Sequence, residues 1–495
     1  MGSDQLRQGR ARSGNAGLAR NRSRSLPRRA GRGRLIAAAR ATELAERALA
    51  AVGAGDGAQA TVTRERSLLV RFARSRPTQA TRIDDLTVEL TVARDGHLAT
   101  AATNRTDDDA LTACAGAAEG AADATARAAP AAGPHPGFAE PAPVRGHDGH
   151  SAETAMLDTA PGGAALEAAF AAAAAAGTEA HGVWTAAETE TAIAATTGVA
   201  VADRLTDAFM KVTAIAPTGR SGYAATTAID ARELDGHGLA ERAAAKATFG
   251  GPDAEPARLE PDELPVVLEP LAVGELLTWL GHLALNGLAF AEGRSALSGR
   301  LGTRIAAPRI NLSDSPRLRG TLPRAFDFEG VPKGPLPLIQ DGVAQRVVHD
   351  RHSAALAGGG ASSTGHALAP GGAPDGPAPT NLVLVGGGAS DEAELCRRIE
   401  RGIYVTRLWY TNAVRPKETL LTGVTRDGTF LIEDGEVTRP AAELRFTDRV
   451  LGVLGRAQEL TARPTLTSEG EFYGRRFATG VVCPGLRAES LRFTG

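Results

Sequence analysis

The stretch from Pro265 to Leu283 constrains the fold more than any other: the apolar run PVVLEP leads straight into LAVGELLTWLGHL, where Leu, Val and Trp recur at helical spacing. A strand that feeds a helix this directly, with both rich in large apolar residues, calls for a core shared by the two element types. Elsewhere TVTRERSLLVRF and LTVELTV alternate with the two-residue period of half-buried strands, while TELAERALAAV has the spacing of a helix. Nothing repeats at a fixed period, which argues against a solenoid. The chain reads as α+β, with mixed or antiparallel sheets and packed helices.

Caps and breakers set the expected boundaries. Helices are predicted over 35–52, ending at Gly53, and over 111–129, with strands over 60–73 and 85–93 between them. Pro, Gly and His crowd 130–150 into a loop. Residues 164–176 are helical, 183–202 form two strands about Thr196, Thr197 and Gly198, and 240–249 are helical. A Pro-rich linker over 251–265 separates this α+β half, 35–250, from a second domain over 266–495, and two domains suit a chain of 495 residues. In the second domain 338–348 reads as a hairpin about Asp341 and Gly342, and 381–385 and 403–409 read as strands. A helix is expected over 390–402: Ser390 caps it, Asp391, Glu392 and Glu394 lie at the positive end of its dipole, Arg397, Arg398 and Arg401 at the negative end, and Gly402 stops it.

Charge is unevenly spread. Residues 1–34 hold ten Arg and one Asp, about +9, which leaves −11 on the remainder of a chain whose net charge is −2. The segment has no aromatic residue and no hydrophobic face, so it reads as a disordered tail rather than a nucleic-acid arm. It also lacks the apolar core of a signal peptide, and no run is long and apolar enough to span a bilayer. Cys114, Cys396 and Cys483 lie far apart with neither CxxC nor Cys/His spacing, which leaves no basis for a zinc finger or a disulfide framework. A cytoplasmic location with no membrane and no nucleic-acid partner is expected.

The helix after Pro270 carries one histidine, His282. In an HExxxH helix two imidazoles bind a metal and the adjacent Glu serves as general base on the metal-bound water. With Thr278 and Trp279 in the His-Glu positions, the second ligand falls on Leu283; with His282 as second ligand, the first two positions are Leu277 and Thr278. Both registers fail. A lone His on an apolar helix is ordinarily a hydrogen-bonded core residue.

The order of blocks nevertheless resembles the TldD/PmbA (TldE) family. PVVLEPLAVGELL is followed by SALSGRLGTRI, FDFEGVPKGPLPLIQDGVAQRVVHDRHSAAL, GGGASSTGHA, NLVLVGGGASDEAELCRRIERGIYV and GTFLIEDGEV. Gly281-His282, the small residues after them and Gly293-Arg294-Ser295 are similar to the PmbA/TldE branch, which lacks a complete metal site. The resemblance implies a two-domain fold and a subunit that pairs with a TldD-like catalytic chain. That chain would hold the zinc, with no cofactor in this one, and the substrate would be a peptide or an amide intermediate of natural-product synthesis. It also implies a substrate groove near His282, Asp327, Glu329, Gly330, Thr364, Gly365 and His366. Cys483 sits where the catalytic branch has a metal-binding Cys; without the histidines it is expected to be a buried apolar thiol.

Three other constellations compete. Asp350, His352, Ser363 and His366 offer the groups of a serine hydrolase but lack a GxSxG elbow. Gly386-Gly387-Gly388 follows a strand but lacks phosphate-loop spacing. His147, Asp148 and His150 sit in a loop with nothing evident to fix them as metal ligands. Besides the subunit reading, a peptide-binding scaffold homodimer without hydrolysis stays open.

Overall fold

A computed structural model describes residues 30–53, 55–128, 136–468 and 475–494. Of the expected tail, 1–29 lie outside the described residues, and 30–34 belong to the first helix. Among the described residues three sheets form. The first is antiparallel, in the order β3-β2-β1-β4-β5-β6, from β1 (Gly57–Ala73), β2 (Arg76–Arg94), β3 (His97–Thr103), β4 (Glu179–Ala195), β5 (Ala200–Ile215) and β6 (Ser221–Ala228). Its first two hairpins turn on residue pairs with positive φ, Arg74-Ser75 (52° and 53°) and Asp95-Gly96 (47° and 76°). Such turns match the right-handed twist of the flanking strands.

Helices cover one face of this sheet. Leu44 and Ala48 of α1 (Ala30–Ala50) and Leu111 and Ala115 of α2 (Asp108–Ala128) bury Val62 and Leu90. After the single turn α3 (Ala152–Ala155), α4 (Ala160–Ala175) and α5 (Gly236–Thr248) cover Trp184 and Met210 with alanines. The small residues are a steric requirement: a Cβ on Gly162 would lie 3.0 Å from the Trp184 ring.

The second domain holds two sheets with a helix between them. Its elements are β7 (Glu263–Leu268), α6 (Pro270–Leu283), α7 (Gly287–Ala291), β8 (Leu312–Asp314), β9 (Leu336–Gln340), β10 (Val343–Ala344), α8 (Arg351–Ala357), β11 (Asn381–Leu384), α9 (Glu392–Cys396), β12 (Arg401–Arg415), β13 (Leu420–Glu433), β14 (Glu436–Pro440), β15 (Arg445–Arg449), α10 (Val450–Gly455), β16 (Ala457–Leu460), β17 (Thr465–Thr467), β18 (Gly480–Cys483) and β19 (Leu486–Arg492). One sheet runs β10-β9-β8-β11-β18-β17; the other runs β14-β13-β12-β7-β19-β16, with β15 beside β13. β7 runs parallel to β12 and β11 to β18, so both sheets are mixed. Leu276, Leu277 and Leu280 of α6 join Leu268, Leu384, Val405 and Val481 in one core. Each such buried leucine contributes about 1.5–3 kcal/mol.

Several expected boundaries shift. β7 starts at Glu263, inside the expected linker. The helix expected over 390–402 is only α9, capped by Asp391, whose Oδ1 accepts from Glu394 N at 2.8 Å, rather than by Ser390. Leu395, Cys396 and Ile399 are drawn into a small core with Val267 and Ile432, and the chain leaves the helix to reach it. Arg401 and Gly402 open β12 instead. A Cβ on Gly402 would stand 2.6 Å from Pro265 O, so the glycine serves close approach to β7, not helix termination. No helix among the described residues is long and apolar enough to cross a membrane.

Candidate functional site

The solvent-facing flank of α6 borders an open groove. Glu275, Thr278, Trp279 and His282, spaced three and four apart, share that flank, and Leu408, Trp409, Tyr410 and Thr411 of β12 oppose them across about 830 Å³. Glu275 and Thr278 also border a smaller space with Lys211, Tyr223 and Arg407. Leu271 connects this to an interdomain cleft of about 1130 Å³ between α5 and α9, where β6 (Ala224 to Thr226) and β17 (Thr465 to Thr467) also line the walls. Thr467 lines all three spaces, so they follow one path across the molecule.

The donors on α6 do not fit zinc. His282 is exposed to the groove, whose walls desolvate its ring and push its pKa below the usual histidine value, with Asp375 opposing. Glu275 accepts from Trp279 Nε1 at 3.0 Å, and Thr278 donates to Gly274 O at 2.9 Å. Among the described residues no three His, Cys, Asp or Glu side chains are arranged to hold a metal ion. Cys483 packs at the other end of the helix, with its Sγ donating to Pro270 O at 3.2 Å, and burial pushes its thiol up to about 12.

The other residues of the expected groove gather elsewhere, in a buried charge cluster behind the groove wall. Asp327 Oδ1 accepts from Glu329 N (2.9 Å) and Val331 N (3.0 Å), and its Oδ2 accepts from Ala367 N (2.9 Å). Gly330 completes that turn at φ 78°, and Gly365 passes Pro332 at φ 76°. His366 Nδ1 meets Thr364 Oγ1 at 2.9 Å, while its Nε2 lies 3.3 Å from Asp314 Oδ1. Lys333 Nζ is also 3.3 Å from that oxygen. Both are ion-pair distances without the alignment of a hydrogen bond, whereas Asp314 Oδ2 accepts directly from Thr380 N and Asn381 N at 2.9 and 2.8 Å.

Burial and neighbours split the charges of this cluster. Burial lifts Asp327 to about 6 and, reinforced by Asp327, lifts Glu329 well above the usual carboxylate range. Asp314 falls below that range because Lys333, His366 and backbone N–H groups outweigh its burial. Burial lowers Lys333 and His366. A cavity of about 20 Å³, room for about one water, lies against Lys333, His366, Arg324 and Thr189. Thr380 and Phe477 line both this cavity and the groove, so the cluster lies against the groove wall.

Three domain profiles of one family match the chain in order: PmbA/TldA metallopeptidase domain 1 over 58–122, the central domain over 157–248 and the C-terminal domain over 261–495. The chain belongs to the PmbA/TldD metallopeptidase family. TldE from Thermococcus kodakarensis has a similar fold, with a TM-score of 0.77 at 20% identity over 92% of this chain and 99% of that one. So does a Thermotoga maritima protein described as a candidate modulator of a DNA gyrase, with a TM-score of 0.75 at 20% identity over 88% and 96%. A Methanothermobacter thermautotrophicus metalloprotease is 27% identical over 190 residues, a match spanning 38% of this chain and 40% of that protein.

Within this PmbA/TldD fold the competing constellations come apart. Ser363 Oγ donates to His349 O (3.3 Å), and Asp350 Oδ1 caps α8 through Ser353 N (2.7 Å), so neither activates the other. His147 binds Asp203 and His150 binds Glu188, two separate carboxylates. A Cβ on Gly386 or Gly387 would stand 2.5 Å from Ala462 O or Leu460 O, so these two glycines permit close packing against 460–462. The residues missed in the sequence are Asp314, Lys333 and the Trp409 to Thr411 wall. Lys333 did leave a signal: it is one of four lysines beside 51 arginines.

Proposed function

We propose that this chain is the TldE/PmbA-like, non-catalytic subunit of a heteromeric zinc metallopeptidase. It pairs with a TldD-like chain to hydrolyse amide bonds in peptides or in a natural-product intermediate. The observation that carries this reading is the α6 flank: the helix that the resemblance aligns with HExxxH presents Glu275, Thr278, Trp279 and His282, one imidazole and a carboxylate already engaged by an indole. The partner's HExxxH would supply zinc and its activated water, while this chain closes the groove, since two chains of one fold can pair about a pseudo-two-fold axis. Edge strands β6 and β17, both lining the interdomain cleft, suit an extended peptide that adds to a sheet edge. The work is assigned to the cytoplasm, with no nucleic-acid role.

Reconstitution tests the assignment. An unstructured peptide is expected to survive this chain alone and to be cleaved at least tenfold faster by the mixture than by the TldD-like chain alone. Hydrolysis by this chain alone would overturn the proposal. A mixture no faster than the partner would favour the scaffold homodimer instead.

A further inference from the structure

β2 outruns its outer neighbour. β1 pairs with it along 76–93, whereas β3 pairs only with 88–94, so over 76–87 the outer edge of β2 carries no strand among the described residues. Residues 76–85 are exposed on both faces of the sheet, apart from half-buried Thr81, and the edge lies open to solvent. Such an edge presents unpaired N–H and C=O groups and is a template for another strand. The hairpin tip is blunted by Pro77 and by the register shift opposite it at Arg71 and Phe72. From Gln79 to Thr87 neither device is present.

The side chains of this stretch complement a second copy of themselves. Arg82 stands opposite Leu68 of β1 and Asp84 opposite Arg66, so both lie on one face, while Ile83, opposite Ser67, lies on the other. A two-fold axis through Ile83 sets the strand antiparallel to its copy, with Arg82 of each chain opposite Asp84 of the other and Ile83 opposite Ile83. Registers centred on Arg82, Asp84 or Asp85 instead put like charges opposite each other, which is destabilising. The pairing centred on Ile83 runs from Gln79 opposite Thr87 to Thr87 opposite Gln79, and stops where β3 begins. Ile83, a large aliphatic side chain left 38% exposed, gains an apolar partner at the axis. Asp84 already accepts from Arg64 Nε and Nη2 at 3.0 and 3.1 Å, and a carboxylate has room for a further donor.

We propose that the 79–87 edge of β2 is a self-recognition surface, through which two copies of this chain join their six-stranded sheets into one continuous sheet. The charges select the register and the exposed isoleucine marks its centre. A contact of one strand from each copy is at the small end of protein interfaces, so association on the order of micromolar is expected. The inference does not rest on the function proposed above.

Sedimentation velocity on the full chain alone, from about 1 to 100 µM, tests it. The wild type is expected to pass from monomer to dimer across that range. Arg82→Asp and Asp84→Arg, both at exposed positions, should each weaken the dimer by about tenfold or more, because each sets like charges opposite each other on both sides of the axis. An equal mixture of the two variants should recover wild-type association: one chain then brings two acids to these positions and the other two bases, so both contacts are complementary again. A damaged fold cannot produce that recovery. A wild type that stays monomeric throughout overturns the proposal, as does a dimer that neither substitution weakens. Weakening without recovery in the mixture overturns the register and the self-recognition with it. A monomeric wild type that binds a TldD-like chain, with that binding lost in both variants, assigns the edge to the other chain and likewise overturns the self-contact.

Discussion

Asp314→Ala is expected to lower the stability of this chain by about 3–5 kcal/mol, the usual cost of removing one partner from a buried ion pair. Asp314 is fully buried, and four groups converge on it: Lys333, His366, Thr380 N and Asn381 N. Its loss leaves the Lys333 ammonium, itself 3% exposed, without its ion-pair partner and two backbone donors without their acceptor. Denaturant melts measure the change. The sign of its pH dependence is fixed as well: a carboxyl held below its ordinary range contributes stability above about pH 4 and loses it as the solution is acidified. The acid limb of the stability curve should therefore flatten in Asp314→Ala. Asp327, lifted to about 6, acts the other way, with its contribution full below about pH 4 and lost as pH rises through 6.

Arg476→Met should cost a similar amount for a different reason and change the shape of unfolding too. Arg476 comes from the C-terminal domain, yet its Nε lies 3.0 and 3.1 Å from the Asp207 carboxylate oxygens on β5, and Nη1 donates to Thr185 Oγ1 on β4 at 3.0 Å. The pair is buried, Arg476 at 5% and Asp207 at 2% exposed, so the variant strands Asp207 between the domains at a cost of about 3–5 kcal/mol. Because the bond ties the first sheet to the second domain, loss of coincidence between fluorescence and circular-dichroism melts is expected, as the two halves begin to open separately. The exposed pair Arg47 and Asp108 is the control: Arg47→Ala should shift stability by less than about 1 kcal/mol.

Alternation and spacing made most of β1, β4 and α6 legible in the sequence, whereas only the first residues of β5 fell inside the expected strands, because β4 and β5 are buried on both faces and serve more than one core. The first half of β2 was not legible. RPTQATRID is polar and exposed on both faces, and it is a strand because the Arg74-Ser75 turn holds it in register with β1. The segment 390–402 misled for the opposite reason: its charges imitate a capped helix, while Leu395, Cys396 and Ile399 answer to a core that local sequence does not reveal. At the site, the failure of both HExxxH registers could be read from α6 alone. The opposite wall could not, since a bulge at Tyr410 depends on how β12 meets β13. Asp314 lies in a short polar run, NLSDSP, and is significant only because Lys333 and His366 fold over it.

Metal content per chain, by elemental analysis, tests the central claim most directly. This protein purified alone should carry essentially no zinc, and its complex with a TldD-like chain should carry about one zinc per heterodimer. Stoichiometric zinc in the isolated chain would contradict the account and return His282 and Cys483 to consideration as ligands.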